Sequence, residues 1–131
     1  MVSDPIGDFI IRLKNASAVK KASVSVPFSV LKMAIAEKLK DVGYLKTIEK
    51  KGKKVRKTLD IFLKYDEAGM PVIHDVKRVS KPGCRLYRSA REIMPVRYGH
   101  GVLVLSTPRG ILTGAEARKE KVGGEALFEI W

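Results

Sequence analysis

Small hydroxyl side chains, glycines and one carboxylate occur in two short segments near the end of the chain. Ser106 and Thr107 open the first segment, and Glu125 follows Gly123-Gly124 in the second. Hydroxyls donate and accept hydrogen bonds, an ionised carboxylate only accepts them, and glycine adds no side chain. Together these groups suit hydrogen bonding at close range to another polar surface.

Each of these residues also has an ordinary structural interpretation. Serine and threonine are common in turns because their hydroxyls bond the nearby backbone, and a double glycine can allow positive φ. In a basic protein, Glu125 can simply pair with an arginine. A carboxylate within a basic surface instead favours contact with base amino groups or a 2′-hydroxyl, because it repels phosphate.

Apolar runs flank both segments and are expected to position them. Residues 102–105 have the length and character of a strand, and an apolar run over residues 126–131 closes the chain. Between them, Thr113-x-x-Glu116 fits a capping box, which predicts a helix that ends near Lys121. We therefore expect two strands that bring the hydroxyls and the carboxylate to a common edge.

Groups for catalysis or metal binding are sparse. His74 and His100 are the two histidines, Cys84 is the single cysteine, and no H-x-x-x-H or C-x-x-C spacing occurs. The sequence therefore predicts no zinc site, no cofactor and no enzymatic activity. A small hydrolase or transferase that uses Cys84 with a histidine is the alternative from another functional class.

The excess of basic residues indicates a polyanionic partner. Lys and Arg number 26 against 14 Asp and Glu, which gives a formal net charge of +12. Small soluble domains usually carry a charge of magnitude about 2–8, so nucleic acid is the favoured partner. No apolar run reaches the roughly 18 residues of a membrane span, and Asp4 precedes every Lys and Arg, so we expect no membrane segment and no secretory signal. The lone cysteine fits a reduced, cytoplasmic setting.

A helix and a short strand are predicted at the start of the chain. Asp4 and Pro5 are typical of a helix start, and an apolar stripe follows at spacings of three and four, formed by Ile6, Phe9, Ile10 and Leu13. Arg12 and Asn15 fall off this stripe, either on a solvated face or in contact with RNA. A strand that alternates valine with serine then ends at Pro27.

A second helix and a β-hairpin complete the first half. The predicted apolar face of this helix comprises Phe28, Leu31, Ile35, Leu39 and Val42, and Gly43 ends it. Segments 44–50 and 55–65 are typical of a hairpin. Its tip, residues 46–57, holds seven basic residues and one acid. We interpret the tip as a phosphate contact that releases counterions, with a solvated tip as the alternative.

The second half begins with a predicted strand over residues 71–79, followed by a break over residues 80–83. We therefore expect two lobes, residues 1–70 and residues 71–131. Arg85-Leu86-Tyr87-Arg88 predicts a short basic strand in which Tyr87 either stacks on a base or closes a core. Ser89-x-x-Glu92 fits a second capping box.

These motifs together resemble the eighth protein of the small ribosomal subunit, in its bacterial form, over the whole chain. The most specific part is the last third, with Ser106-Thr107-x-x-Gly110, Glu116-Ala117-Arg118, Val122-Gly123-Gly124-Glu125 and Trp131. Earlier segments similar to that family are Asp4-Pro5-Ile6-x-Asp8, Pro27-Phe28-Ser29-x-Leu31-Lys32 and Arg78-Val79-Ser80-Lys81-Pro82-Gly83-x-Arg85-x-Tyr87.

The resemblance implies an α/β (α+β) fold with an N-terminal αβαββ lobe and a β-rich C-terminal lobe with short helices. It implies a structural constituent of the 30S subunit that binds the central domain of 16S rRNA and helps platform assembly. Implied neighbours are small-subunit ribosomal proteins five and twelve, a further implied ligand is its own mRNA, and the protein is expected to be a monomer outside the ribosome. A free regulatory RNA- or DNA-binding module is the alternative.

The resemblance also implies residue roles, with RNA contacts by Ser106, Thr107, Glu125 and Tyr87. Pro108 replaces the third hydroxyl of the turn, so one contact is lost, and Gly114 replaces a more usual acid, which should weaken the start of the following helix. The remaining predicted RNA-binding residues are Gly123, Gly124, Arg85, Arg109, Lys32, Lys54, Arg56, Arg12 and Asn15.

Overall fold

The computed structural model describes residues 4–52 and 55–131. These residues form two compact units, one of residues 9–74 and one of residues 4–8 together with residues 75–131. The predicted boundary between residues 70 and 71 remains a prediction. In the part of the chain that the structure describes, none of the helices has both the length and the apolar character for a membrane crossing.

The first part of the chain follows the predicted order of helix, strand, helix and hairpin. Its elements are α1 (Pro5–Ala18), β1 (Ser23–Pro27), α2 (Val30–Asp41), β2 (Leu45–Lys51) and β3 (Thr58–Leu63). The three strands form an antiparallel sheet in the order β1-β3-β2. The predicted αβαββ arrangement is confirmed.

Apolar periodicity explains which faces of these elements are buried. The predicted stripe of α1 is buried, and alternate residues of β3 are buried as expected for a half-exposed strand. Ser29 caps α2, because its hydroxyl accepts a hydrogen bond from the backbone amide of Lys32 at 3.0 Å. The predicted apolar face of α2 is wrong toward its ends, where Leu31 and Val42 are exposed.

The last part of the chain forms a second sheet around its final strand. Its elements are β4 (Val76–Arg78), β5 (Tyr87–Arg88), β6 (Val102–Thr107), β7 (Gly110–Thr113), α3 (Gly114–Glu120) and β8 (Gly124–Ile130). β8 pairs antiparallel with β6 along one edge and with β4 and β5 along the other, and β7 lies outside β6. The predicted β-rich architecture with short helices is confirmed, and β8 is the strand that positions its neighbours.

The predicted strand over residues 71–79 is wrong over most of its length, because β4 covers only Val76–Arg78. Pro71 forms an isolated bridge with Tyr65. Proline has no backbone N–H to donate, so a regular ladder does not continue through it. Asp75 instead exchanges two backbone hydrogen bonds with Trp131, at 3.0 and 3.1 Å.

A buried apolar cluster joins α3 to one face of the second sheet. It consists of Ile93, Val96, Leu103, Leu105, Leu112, Ala117 and Ala126. The predicted capping box is confirmed, since the Thr113 hydroxyl accepts from the Glu116 amide at 3.2 Å and the Glu116 carboxylate accepts from the Thr113 amide at 3.1 Å. Gly114 is buried at the start of α3, and a Cβ there would lie 3.0 Å from the Cγ2 atom of Ile93. Glycine therefore gives close packing at the position where an acid was expected.

Candidate nucleic-acid interface

Three of the predicted RNA-binding side chains form one row across the second sheet. Glu125 on β8 pairs with Ser106 on β6 and with Tyr87 on β5. Directly opposed residues of antiparallel strands project from the same face, with Cβ atoms about 4.5–5.5 Å apart. The neighbouring pair, Leu105 and Ala126, lies in the buried cluster under α3. Because successive residues alternate between faces, the Tyr87–Glu125–Ser106 row lies on the opposite face.

Side chains of the row are open to a ligand. Tyr87 is 66% exposed, so the interpretation that it closes a core is wrong, and stacking on a base stays a prediction. Ser106 is half-buried, and its hydroxyl has no hydrogen-bond partner among residues 4–52 and 55–131. The row therefore offers an exposed ring and an unused hydroxyl on either side of a carboxylate.

Gly123 and Gly124 allow β8 to enter the sheet between β5 and β6. Neither glycine has a positive φ, so the interpretation that they serve positive φ is wrong. A Cβ on Gly123 would lie 2.5 Å from the carbonyl oxygen of Arg88. A Cβ on Gly124 would lie 2.1 Å from the carbonyl oxygen of Ser106. Close approach of three backbones is therefore what requires the double glycine.

The carboxylate of Glu125 is held by one of its two oxygens. Oε2 accepts a hydrogen bond from Ser80 Oγ at 2.5 Å and another from Arg85 Nη1 at 3.1 Å. The ordinary interpretation, an ion pair with an arginine, is thus present in the structure. Within the described residues Oε1 has no hydrogen-bond partner, and the side chain is 19% exposed. The carboxylate can therefore accept a hydrogen bond from a further donor.

The hydroxyl of Thr107 is used within its own turn. Oγ1 donates to the carbonyl oxygen of Gly110 at 2.8 Å and accepts from the backbone amide of Arg109 at 3.1 Å. This is the local backbone bonding that favours threonine in turns. Pro108 lies at the exposed tip, and Gly110 closes the turn with φ +101°. Thr107 therefore keeps acceptor capacity for a ligand, whereas its proton is already donated.

Two lysines lie near an aromatic ring in the unit of residues 9–74. The Nζ atoms of Lys50 and Lys57 lie 4.3 and 5.9 Å from the centroid of the Phe28 ring. Arg56 is exposed and lines a groove together with Phe28 and Lys57. Cations above an aromatic face are attracted by the ring quadrupole. The ring therefore helps to gather basic side chains beside the β2–β3 hairpin.

Two carboxylates of the hairpin form ion pairs with the ammonium group of Lys51. Lys51 Nζ lies 3.3 Å from the carboxylate of Glu49 and 3.2 Å from that of Asp60. Hydrogen bonds from Lys51 to Asp60 and Glu49 raise the pKa of the Lys51 ammonium. Lys54, predicted to contact RNA, lies outside the described residues.

Three other predicted RNA-binding residues also lie in the unit of residues 9–74. Arg12 and Asn15 are exposed on α1 and line a groove together with Lys21 and Ser25. Lys32 is half-exposed in the first turn of α2. The structure therefore brings Arg12 and Asn15 together, and it places all three residues in the unit that does not contain the Tyr87–Glu125–Ser106 row.

Comparison with known proteins decides the family. The family described as ribosomal protein S8 matches residues 4–131. The chain belongs to the ribosomal protein S8 family. The small ribosomal subunit protein uS8 of Persephonella marina is 49% identical over 136 residues, with 100% of both chains covered. Those of Solibacter usitatus and Burkholderia mallei are 44% and 48% identical, with 100% and 98% of both chains covered.

Membership of the S8 family confirms the resemblance predicted from the sequence. The chain is a ribosomal protein of the small subunit and a structural constituent of the ribosome, with its place in the cytoplasmic ribosome. As part of a ribonucleoprotein it works in translation, alongside rRNA and other ribosomal proteins. The RNA-binding roles of individual residues stay predictions.

Most of the S8-family site predicted from the sequence lies in one unit. In the unit of residues 4–8 and 75–131, the predicted residues are Arg85, Tyr87, Ser106, Thr107, Arg109, Gly123, Gly124 and Glu125. Of these, Arg109 contacts the Glu120 carboxylate at 3.4 Å instead of the row. Sequence reasoning missed Ser80, since its contact with Glu125 spans 45 residues of chain and a serine before Lys-Pro-Gly signals only a turn.

Cys84, His74 and His100 are the residues considered for catalysis or metal binding. Among residues 4–52 and 55–131, no group of three or more His, Cys, Asp and Glu side chains is placed to hold a metal ion. Cys84 is exposed and exchanges two backbone hydrogen bonds with Lys81. The S8 family is one of structural ribosomal proteins, and the absence of enzymatic activity stays a prediction.

Proposed function

We propose that this protein binds the central domain of 16S rRNA and recognises it through the Tyr87–Glu125–Ser106 row. The observation that supports this proposal is an oriented, half-buried carboxylate beside an unused hydroxyl, in a chain of net charge +12. A carboxylate weakens contact with phosphate. It favours RNA binding only where it accepts hydrogen bonds from base amino groups or 2′-hydroxyls.

Each side chain of the row suits a different kind of contact with a folded RNA. The exposed ring of Tyr87 offers a face on which an unpaired base can stack. Ser106 can both donate and accept, so its hydroxyl suits a base edge or a 2′-hydroxyl. Glu125 selects donors and rejects phosphate oxygens. Thr107 adds an acceptor from the adjoining turn, where Arg109 is exposed.

Basic residues that are not members of the row supply affinity and orientation. In protein–nucleic acid complexes, contacts to phosphates position the protein, and contacts to base edges give specificity. The residues proposed for phosphate contact are Arg12, Lys32, Lys54, Arg56 and Arg85, with Asn15 as a neutral hydrogen-bonding neighbour of Arg12. Their contribution depends on salt, because each phosphate contact releases condensed counterions.

Within the small subunit, the proposal extends to assembly and neighbours. A protein that binds the central domain directly helps to build the platform, with small-subunit proteins five and twelve as its neighbours. Outside the ribosome we propose a monomer that also binds its own mRNA, since a messenger segment can present the same hydrogen-bonding groups as the rRNA site.

Crosslinking in cell extract followed by RNA sequencing tests the proposed function. Crosslinks should map to the central domain of 16S rRNA, and the protein should sediment with small subunits at moderate salt. Tyr87→Leu should lower crosslinking, whereas Tyr98→Leu, which changes a fully exposed tyrosine outside the row, should not. A free regulator would remain in the supernatant with crosslinks to other nucleic acids, and that result would contradict the proposal.

A further inference from the structure

One of the groups that bond the carboxylate of the row is a buried hydroxyl. Ser80 is 0% exposed. Its Oγ accepts a hydrogen bond from the backbone amide of Leu86 at 3.1 Å and donates to Glu125 Oε2 at 2.5 Å. A hydroxyl has one proton to donate. The amide of Leu86 occupies the acceptor side of Ser80, so the proton is directed to the carboxylate.

We propose that Ser80 is a positioning residue for RNA recognition, which acts by fixing the carboxylate of Glu125 so that Oε1 faces the ligand. This inference rests on the proposed function, because it concerns how the same row is held ready for RNA. Ser80 itself touches no RNA. Its effect on binding passes through Glu125.

The backbone around Ser80 fixes the hydroxyl relative to β8. The Ser80 amide donates to the carbonyl oxygen of Ala126 at 3.0 Å, and the Ala126 amide donates to the carbonyl oxygen of Leu86 at 2.9 Å. Between Ser80 and Leu86, Lys81 and Cys84 exchange backbone hydrogen bonds at 3.0 and 2.9 Å. The loop is therefore closed at its tip and tied to β8 at its base, so the hydroxyl of Ser80 has a defined place beside Glu125.

Arg85 cannot replace this anchor. Its guanidinium contacts the same oxygen of Glu125, but the arginine side chain is 49% exposed. An exposed ion pair loses side-chain entropy and is screened by water and salt. The buried hydroxyl of Ser80 loses little entropy when it bonds, because serine has a short side chain. Ser80 therefore determines which carboxylate oxygen is engaged, and Oε1 remains for the RNA.

A double-mutant cycle tests this inference. The dissociation constant for a transcript of the 16S rRNA central domain is measured at one salt concentration for the parent protein, Ser80→Ala, Glu125→Ala and the double variant. Ser80→Ala should weaken binding about tenfold in the parent background. In the Glu125→Ala background it should change binding less than about twofold, because residues that act through one another are not additive.

Ser17→Ala is the matched control, because Ser17 is also buried, at 1% exposure, and its hydroxyl has no hydrogen-bond partner among the described residues. It should leave RNA affinity unchanged. If circular dichroism shows that Ser80→Ala is unfolded, Ser80→Cys, whose thiol is a weaker donor of similar size, takes its place in the cycle, with a loss of affinity expected in the parent background only.

Three outcomes separate the inference from the proposed function. Equal weakening by Ser80→Ala in both backgrounds would overturn the positioning role, since the effect would not pass through Glu125. Parent-like binding by Ser80→Ala, together with weak binding by Glu125→Ala, would overturn it as well and leave the proposed function intact. Parent-like binding by Glu125→Ala would overturn the RNA contact of Glu125 and the role of Ser80 with it.

Discussion

Gly124 lies so close to Ser106 that a Cβ on the glycine would be 2.1 Å from the serine carbonyl oxygen and 2.9 Å from its carbonyl carbon. The strands that carry the hydroxyl and the carboxylate of the row are therefore in register at a point where only glycine fits. The register at Gly124 also sets the next pair along, Ser106 with Glu125. Backbone packing and the arrangement of the recognition row thus depend on the same position.

Gly124→Ala should destabilise the protein by at least about 2 kcal/mol, because the added methyl group must displace backbone atoms. Chemical denaturation measures the change in the free energy of unfolding. Gly83→Ala is the control, since Gly83 has no positive φ and a Cβ there meets nothing within 4 Å. Equal stability of the Gly124 and Gly83 variants would show that the close approach at Gly124 is not required.

Thr107→Ala should weaken binding of the central-domain transcript by about 1–3 kcal/mol, as expected when a hydrogen-bonding hydroxyl is removed. The hydroxyl orders the turn through Gly110 and Arg109 and offers acceptor capacity to RNA. Thr107→Ser keeps the hydroxyl and should bind within about 0.5 kcal/mol of the parent protein. Filter binding measures both variants, and parent-like affinity of Thr107→Ala would exclude the turn from the interface.

Local signals in the sequence predicted the helix starts and most strands. The capping box at Thr113 joins residues three positions apart, and the Ser89 hydroxyl donates to the Glu92 carboxylate at 2.8 Å over the same spacing, so both follow from short-range hydrogen bonding. The alternating pattern of β3 likewise follows from one buried face. Family resemblance supplied the remaining expectations for the RNA-binding residues.

Contacts between distant parts of the chain could not be predicted from local patterns. Ser80 reaches Glu125 across 45 positions, and nothing in the spacing of either residue indicates the other. The double glycine has a plausible local explanation in positive φ, and only the paired strands show that backbone approach requires it. The segment that begins at Pro71 shows an error of local reasoning, because its apolar residues predict a strand although the proline cannot join a regular ladder.

A plot of log affinity against log salt has a negative slope, and Arg56→Ala should reduce the magnitude of that slope by roughly one unit, as expected for the loss of one phosphate contact. Sequence preference should not change. The same result is expected for Lys54→Ala, from its place in the basic segment. Lys51→Ala is the control in the same hairpin. It should leave the slope unchanged, because the Lys51 ammonium already pairs with the carboxylates of Glu49 and Asp60. Equal slopes for Arg56→Ala and the parent protein would count against a phosphate contact at the hairpin.

Stability should fall in acid partly through Asp4. Burial raises the pKa of the Asp4 carboxyl, but hydrogen bonds from Arg78 and the Gly7 amide lower this pKa by more than burial raises it. The pKa therefore lies below its ordinary value of 3.8. Arg78 Nε and Nη2 donate to the two carboxylate oxygens at 3.0 and 3.1 Å. A carboxyl with a lowered pKa in the folded state stabilises the protein above its unfolded-state pKa, and this stabilisation is lost as pH falls through the folded-state pKa.

Asp4→Asn should therefore cost about 1–2 kcal/mol of unfolding free energy at neutral pH, where the charged hydrogen bonds are intact. The difference in unfolding free energy between the parent protein and Asp4→Asn should shrink as pH falls below about 4. Urea denaturation at several pH values measures it, with Glu67→Gln in an exposed turn as the control. A difference that does not change with pH would show that the Asp4 charge is not involved.

Removal of the Glu125 carboxylate tests the recognition row most directly, because specific recognition and overall charge predict changes of opposite sign. Glu125→Ala makes a chain of net charge +12 more basic, as does the control Glu67→Ala. We predict that Glu125→Ala binds the central-domain transcript about tenfold more weakly at fixed salt, whereas Glu67→Ala binds as tightly as the parent protein or more tightly. Tighter binding by both variants would contradict the account, because charge alone would then explain the affinity.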